Sequence, residues 1–315
     1  MVGLGKWLAT SVALFTFSAA AAPPLGWRDL NHNGRLDPYE DKHVPIDQRV
    51  EDLLARMTLA EKAGLMLHGT LPTPGSSIGF AGQAYDQGAT TRLMRERNIS
   101  SFITRLVVPP AQLASQNNAI QKLAEAGRLG IPATISTDPR HHFQASTTGG
   151  GFSLWPDMLG FAALNDPAVM RNFGDIARAE YRAVGIHMAL SPQADLATEP
   201  RWARFSATFG SDPDTVSRLA GAYVEGFQQG TEGVTAQGVA TVVKHWVGYG
   251  AQPEGFDGHN GYGRHATLTD ASFADHIRAF DGALDARSAG VMPTYVIVQG
   301  PKVAGQPIEP VGGGF

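Results

Sequence analysis

The chain has 315 residues, 43% of them hydrophobic and 17% charged, with a net charge of −4. That suits one large or two small soluble domains with a sizeable core. No cationic run points to nucleic acid or an anionic membrane, and 37 glycines favour a loop-rich enzyme over a helical bundle.

The N-terminus reads as a targeting segment. Lys6 gives a positive n-region, Trp7 to Phe17 is mostly apolar, and Ala19 to Ala22 supplies a small-residue cleavage site before Pro23-Pro24. The apolar run is short for a membrane span. Residues 1–22 are expected to be a cleaved signal peptide, with an uncleaved anchor as the alternative. The mature chain is then periplasmic or secreted and free of the membrane. Cysteine is absent, so an exported chain of this kind uses no disulfides and relies on its core.

Residues 23–45 form a polar N-terminal segment. Asp29, Asn31, Asn33, Gly34, Arg35 and Glu40 fit the spacing of a calcium loop. Alternate positions turn oxygen donors inward, Arg35 offers its carbonyl, Gly34 allows the turn, and Glu40 can bind bidentately. Leu36 supplies the usual apolar eighth position. Pro38 and the lack of an entering helix argue against it. A structural calcium ion and an Asx-rich surface turn are both consistent with this segment. No other cofactor is expected.

The remainder, 46–315, carries the main domain. Helices are expected from Ile46 to Met57 and from Leu59 to His68, the second opened by a Thr58/Glu61 capping box. Leu71–Ala89 is rich in Gly, Ser and Pro and reads as a loop. Then strands and helices alternate. Ile99–Leu106 is strand-like and Pro110–Gly127 helical. Ile131–Ser136 is a strand ending in Thr137-Asp138. Asp166–Val184 is a helix with Asp166 as N-cap and Pro167 in its first turn. Ile186–Ser191 is a strand, Pro213–Gln229 a helix, Val239–Val243 a strand, Leu268–Arg287 a helix and Gly290–Val298 a strand. This order predicts a parallel α/β sheet. No strand is followed by a dinucleotide fingerprint. Five βα positions are counted, against eight for a closed barrel. The fold class is therefore an α/β domain of (β/α)8 TIM-barrel type, incomplete at about five of eight strands.

Polar clusters sit where these strands end, which is where barrel chemistry is placed. Asp138 follows the second strand. Glu199, Arg201, Trp202 and Arg204 lie after the third. Lys244-His245 closes the fourth, and Tyr295 lies in the fifth. A lysine directly after an apolar run is costly to bury without a partner. Carboxylates that accept from hydroxyls, beside Arg and Lys that donate, suit a neutral polyol such as a sugar. Trp155, Trp202 and Trp246 offer apolar faces to a sugar ring. Singly, each residue also has a bland reading: Asp138 as a turn residue, Arg201 and Arg204 as surface partners of Glu199 or Asp195, Trp202 as core.

Six segments carry a family resemblance: MTLAEKAGLM at 57–66, IPATISTDPRHH at 131–142, LSPQADLATEPRWAR at 190–204, TFGSDP at 208–213, VVKHWVGYGA at 242–251 and VMPTY at 291–295. On these the chain resembles the N-terminal barrel domain of glycoside hydrolase family three, the family of many β-glucosidases. The resemblance implies that Asp138 binds hydroxyls of the terminal sugar. It implies that Arg204, Lys244 and His245 hold that sugar in the −1 subsite and that Tyr295 lies close to the nucleophile. His142 and Ala203 stand where the family usually has glycine.

A retaining glycosidase needs two carboxyl groups roughly 5–5.5 Å apart. The family's nucleophile is an aspartate in a Ser/Thr-Asp-Trp motif on the sixth barrel strand, and its acid/base glutamate usually lies in a second domain. No such motif occurs in these residues. Asp257 and Glu254 match no catalytic position. The implied function is an exported β-glucosidase-type hydrolase acting at non-reducing ends with retention, present here as a fragment without its nucleophile. The fragment alone is expected to be inactive and poorly stable, because open sheet edges invite aggregation. The alternative is a catalytically inactive sugar-binding remnant. A metal-dependent hydrolase using His141, His142, His245 and His259 is disfavoured. Adjacent histidines on an extended segment point apart, and no H-x-H or H-E-x-x-H spacing occurs.

Overall fold

The computed structural model of the chain describes residues 26–75, 82–141 and 151–308. The expected signal peptide and His142 lie outside the described residues. Two helices come first, α1 (Ile46–Arg56) and α2 (Leu59–Leu65). The Thr58 hydroxyl accepts from the Glu61 amide and the Glu61 carboxylate accepts from Thr58 N, completing the expected capping box. The chain then alternates as β1 (His68–Thr70), α3 (Gln87–Glu96), β2 (Ser101–Ile103), α4 (Pro110–Glu125) and β3 (Thr134–Thr137). Next come α5 (Met158–Leu164), α6 (Pro167–Ala183), β4 (Met188–Ala189), α7 (Pro213–Gln228) and β5 (Ala240–Trp246). The series closes with β6 (His265–Thr267), α8 (Asp270–Arg278), α9 (Asp281–Asp285), β7 (Gly290–Pro293), β8 (Ile297–Gln299), β9 (Lys302–Val303) and β10 (Gln306–Pro307).

Six strands form one parallel sheet in the order β1-β2-β3-β4-β5-β7. The order follows the sequence, with helices crossing between strands, as in a barrel cut open along its length. The sheet is thus an incomplete TIM-type barrel with one strand more than expected. The extra strand is β1, whose His68 falls where the second helix was expected to continue. That helix ends at Leu65, and three residues carry too little periodicity to announce a strand. The helix α3 begins inside the expected Leu71–Ala89 loop and continues through residues to which no element was assigned.

Two expected long elements divide. Leu268–Arg287 becomes α8 and α9, broken where buried Phe280 packs edge-on against Trp246 at 5.1 Å. Gly290–Val298 becomes β7 and β8. Pro293 has no amide to continue a ladder, and β8 pairs instead with β6 in a separate small sheet.

The main core lies between the sheet and the helices α6 and α7, with Phe173, Tyr181, Tyr223 and Phe227 at its centre. Asp166 and Asp212 cap these helices through the amides of Ala168 and Thr215, both at 2.8 Å, and Pro167 and Pro213 occupy the first turns. A Cβ on Gly226 would lie 2.4 Å from the Arg171 carbonyl, so only glycine lets α6 and α7 approach this closely. A second apolar cluster of Trp202, Tyr249, Leu268, Val296 and Val298 sits under the loops at one end of the sheet. No helix among the described residues is long and apolar enough to cross a membrane.

Candidate functional site

The site grows from the C-terminal ends of β3, β4 and β5. Parallel strands deliver these ends to one face, and the polar residues follow at once. Asp138 comes directly after β3, and Lys244 and His245 lie within β5. Lys244 Nζ donates to Asp138 Oδ1 at 2.9 Å across 106 residues of sequence. The lysine side chain is 5% exposed and the aspartate's 40%, so the pair joins the core to an opening. Burial lowers the Lys244 ammonium pKa, and Asp138 opposes that shift. Burial would raise the Asp138 carboxyl, but Lys244, Arg105 and Arg204 outweigh it and hold it below the usual carboxylate value.

His245 is fully buried. Asp195 Oδ2 lies 2.8 Å from its Nδ1, and Asp195 Oδ1 accepts its backbone N–H at 3.1 Å. With Nδ1 donating to the carboxylate, Nε2 becomes an acceptor, and it faces Arg204 Nη1 at 3.5 Å. Burial pulls the imidazole down to about 4 against the raising effect of Asp195, so His245 is neutral at pH 7. The Lys244–His245 peptide is cis. Arg204 also lies over the Tyr249 ring at 5.5 Å, and the Tyr295 ring stands 5.1 Å from that of His245. A Cβ on Gly250 would fall 2.2 Å from the Leu196 carbonyl. Glycine there lets the loop after β5 press onto the loop after β4, where the Gly250 carbonyl accepts from Thr198 and Glu199 amides.

The structure therefore brings Asp138, Arg204, Lys244, His245 and Tyr295 to one end of the sheet. It leaves others out. Arg201 pairs locally with Glu199 at 2.8 Å on the surface. Trp202 is 2% exposed and packs against Tyr249, so its face is closed to a sugar. Trp155 packs on Phe161 and Phe173, and Trp246 on Phe280. His141 pairs with Glu180, His245 with Asp195 and His259 with Asp257, three separate places. Among the described residues no three His, Cys, Asp or Glu side chains are grouped to hold a metal ion.

In the 29–40 segment the oxygens are turned onto the loop itself. Asp29 accepts from the amides of Asn33 and Gly34, and the Asn33 side-chain oxygen accepts from the Arg35 amide. Glu40 accepts from Leu30, Asn31 and Asp37. The Asn31 and Asn33 amides and Arg56 all donate to Asp37. These are the bonds of an Asx-rich turn. The oxygen donors of Asp29, Asn31, Asn33 and Glu40 and the Arg35 carbonyl are also the hard-ligand set that calcium takes.

Two site residues escaped sequence reasoning. Asp195 enters the sequence reading only as a surface partner of Arg201 or Arg204, yet it is 1% exposed and orients His245. Arg105, two residues past β2, donates to Asp138 Oδ2 at 3.1 Å. Asp195 lies just past the expected strand Ile186–Ser191, within reach of the strand-end rule, whereas Arg105 falls inside the expected strand Ile99–Leu106 and is freed only because β2 ends at Ile103.

The glycosyl hydrolase family 3 N-terminal domain model matches residues 69–310. A periplasmic beta-glucosidase/beta-xylosidase of Dickeya chrysanthemi is 53% identical over 296 residues, covering 92% of this chain and 45% of the relative. Beta-glucosidase C of Emericella nidulans is 41% identical over 288 residues, covering 90% and 46%. Among solved structures, a β-glucosidase of Erythrobacter marinus superposes with a TM-score of 0.67 at 25% identity, over 85% of this chain and 34% of that one. An exo-1,3/1,4-beta-glucanase of a Pseudoalteromonas species shares the fold with a TM-score of 0.64 at 20% identity, over 87% and 32%. The chain spans a little under half the length of these curated relatives.

Proposed function

Since the chain belongs to glycosyl hydrolase family 3 through its N-terminal domain, we propose that it provides the sugar-holding part of an exported β-glucosidase-type hydrolase. The observation that supports this best is the Asp138–Lys244 pair beside the Asp195–His245 pair, at the ends of neighbouring parallel strands. Asp138 accepts from hydroxyls of the terminal sugar. Lys244 and Arg204 donate to its oxygens, and neutral His245 accepts at Nε2. Tyr295 borders the position of the reacting carbon. The substrate class is a β-glucoside or oligosaccharide, cleaved at its non-reducing end.

In the proposed retaining mechanism a carboxylate attacks the anomeric carbon while an acid protonates the leaving oxygen, and the same acid then activates water. Neither carboxyl is assigned to this chain, which has no Ser/Thr-Asp-Trp segment. Its own residues bind and orient the sugar. This also supports the second reading, a sugar-binding remnant without turnover. Periplasmic or secreted placement rests on the character of residues 1–22 and on the periplasmic relative. A structural calcium ion at 29–40 rests on the donor spacing.

Calorimetry of the purified 315-residue chain with glucose, alongside an assay with an aryl β-glucoside, tests the proposal. Glucose binding without turnover is expected. Absence of binding would overturn the sugar-site reading, and clear turnover would overturn the claim that the catalytic carboxyls lie elsewhere.

A further inference from the structure

Arg105 emerges at the same end of the sheet as Asp138 and Lys244, from the loop after β2. Its Nη1 donates to Asp138 Oδ2 at 3.1 Å while Lys244 Nζ donates to Oδ1 at 2.9 Å. Two elements thus grip the carboxylate, one on each oxygen. The Arg105 side chain is 36% exposed, in contrast to buried Lys244, so it reaches the opening. A guanidinium has five N–H donors in a rigid fork. Here Nε is buried without a hydrogen-bond partner, and the Nη1 bond to Asp138 is the only side-chain hydrogen bond of Arg105 among the described residues. A half-exposed ion pair adds little to stability, because water screens it and ordering the side chains opposes it. Stability alone therefore gives a weak account of an arginine with most of its donors unused.

We propose that Arg105 is a sugar-binding residue of this pocket, pinning Asp138 from the side opposite Lys244 and donating to the hydroxyl next to the one that Asp138 accepts. The inference rests on the sugar-site reading above. The carboxylate offers acceptors and the neighbouring guanidinium offers donors. That pairing is complementary to two adjacent hydroxyls of a neutral pyranose. Asp138 is the stronger acceptor for a hydroxyl when ionised. Arg204, Arg140 and His68 also lie near enough to act on it electrostatically, as do the phenols of Tyr181 and Tyr295. Arg105 is thus one of several cations that keep it charged.

The test is calorimetry of the full chain with glucose and its monodeoxy derivatives at about pH 7, for wild type, Arg105→Met, Arg105→Lys and Lys244→Met. Arg105→Met is expected to weaken glucose binding about tenfold, the effect of one lost charge-assisted hydrogen bond. Arg105→Lys restores part of the affinity, since an ammonium keeps one donor but not the fork. One deoxy sugar, the one lacking the contacted hydroxyl, binds wild type and Arg105→Met equally. If Lys244→Met abolishes binding while Arg105→Met binds as wild type, the role of Arg105 is overturned and the sugar site stands. An equal penalty on every deoxy sugar overturns the direct contact. If wild type binds no glucose, the site reading falls and Arg105 falls with it.

Discussion

Asp195 holds His245 twice, through the ring Nδ1 at 2.8 Å and through the backbone N–H at 3.1 Å. The first bond fixes the tautomer, and the second fixes where β5 carries the ring. Both residues are buried, so water cannot replace either bond.

Asp195→Asn separates these roles. The amide oxygen can still accept the backbone N–H, but its NH2 group would face Nδ1 and favour a proton on Nε2. His245 then presents a donor where it now presents an acceptor. Glucose affinity is expected to fall by about tenfold or more, while the melting temperature shifts by only a few degrees. His245→Ala differs, because it leaves a buried carboxylate without its ring partner. The backbone N–H still reaches the carboxylate, but the lost ring bond and the cavity are expected to destabilise the fold by about 2–4 kcal/mol in urea titrations. Equal effects of the two substitutions on stability would contradict this division.

Lys244→Met replaces a buried ammonium with an apolar side chain of similar length. Asp138 keeps Arg105 and is 40% exposed, so losing the lysine strands no fully buried charge. Stability is expected to hold or rise, as it often does when buried ions give way to apolar residues. Sugar binding is expected to be lost. Denaturant midpoints and calorimetry on the same protein separate the two effects: a clearly lowered midpoint would refute the first, and unchanged glucose affinity would refute the second.

Buried histidines shape the dependence of stability on pH, His245 and His276 most strongly, with His68 and His187 lowered by burial in the same direction. His245 and His276 both have imidazoles depressed from 6.5 to about 4, in each case through burial first, partly offset by Asp195. An unfolded chain takes up protons at these sites below pH 6.5, and the folded chain does so only near 4. Stability is therefore fully present above about pH 6.5 and falls as the pH drops toward about 4. The depressed Asp138 adds a loss below its ordinary carboxylate range. Urea midpoints measured across this window should decline steadily with acid, and a flat profile across it would show that neither histidine is held neutral.

Calcium acts on the 29–40 loop if that loop is a site. Millimolar calcium should raise the melting temperature and a chelator should lower it, by the linkage between binding and folding. Asp29→Ala should abolish the difference. A melting temperature indifferent to both additions leaves the segment as the hydrogen-bonded turn formed by Asp29, Asn33, Asp37 and Glu40.

Much of this molecule is local and was therefore legible in its residues. Caps such as Thr58–Glu61 and Asp166 act over three residues, and apolar β-branched runs such as Val239–Val243 mark strands wherever they occur. Alternation of strand and helix then implied a parallel sheet, and a parallel sheet implied that Asp138, Lys244 and His245 share one end. Short elements were not legible. The three residues of β1 have no period of their own, and they are a strand only because β2 lies beside them. What the polar residues do to one another required the tertiary structure. Arg105 meets Asp138 across 33 residues, Asp195 meets His245 across 50, and Lys244 meets Asp138 across 106. Trp202 could have lined a pocket as easily as the core until the second apolar cluster closed over it. The sequence by itself determined which chemistry stands at each strand end, because that follows from residue type and local pattern. Only the fold decided which charges are buried together, because burial and pairing depend on neighbours that the chain brings from far away.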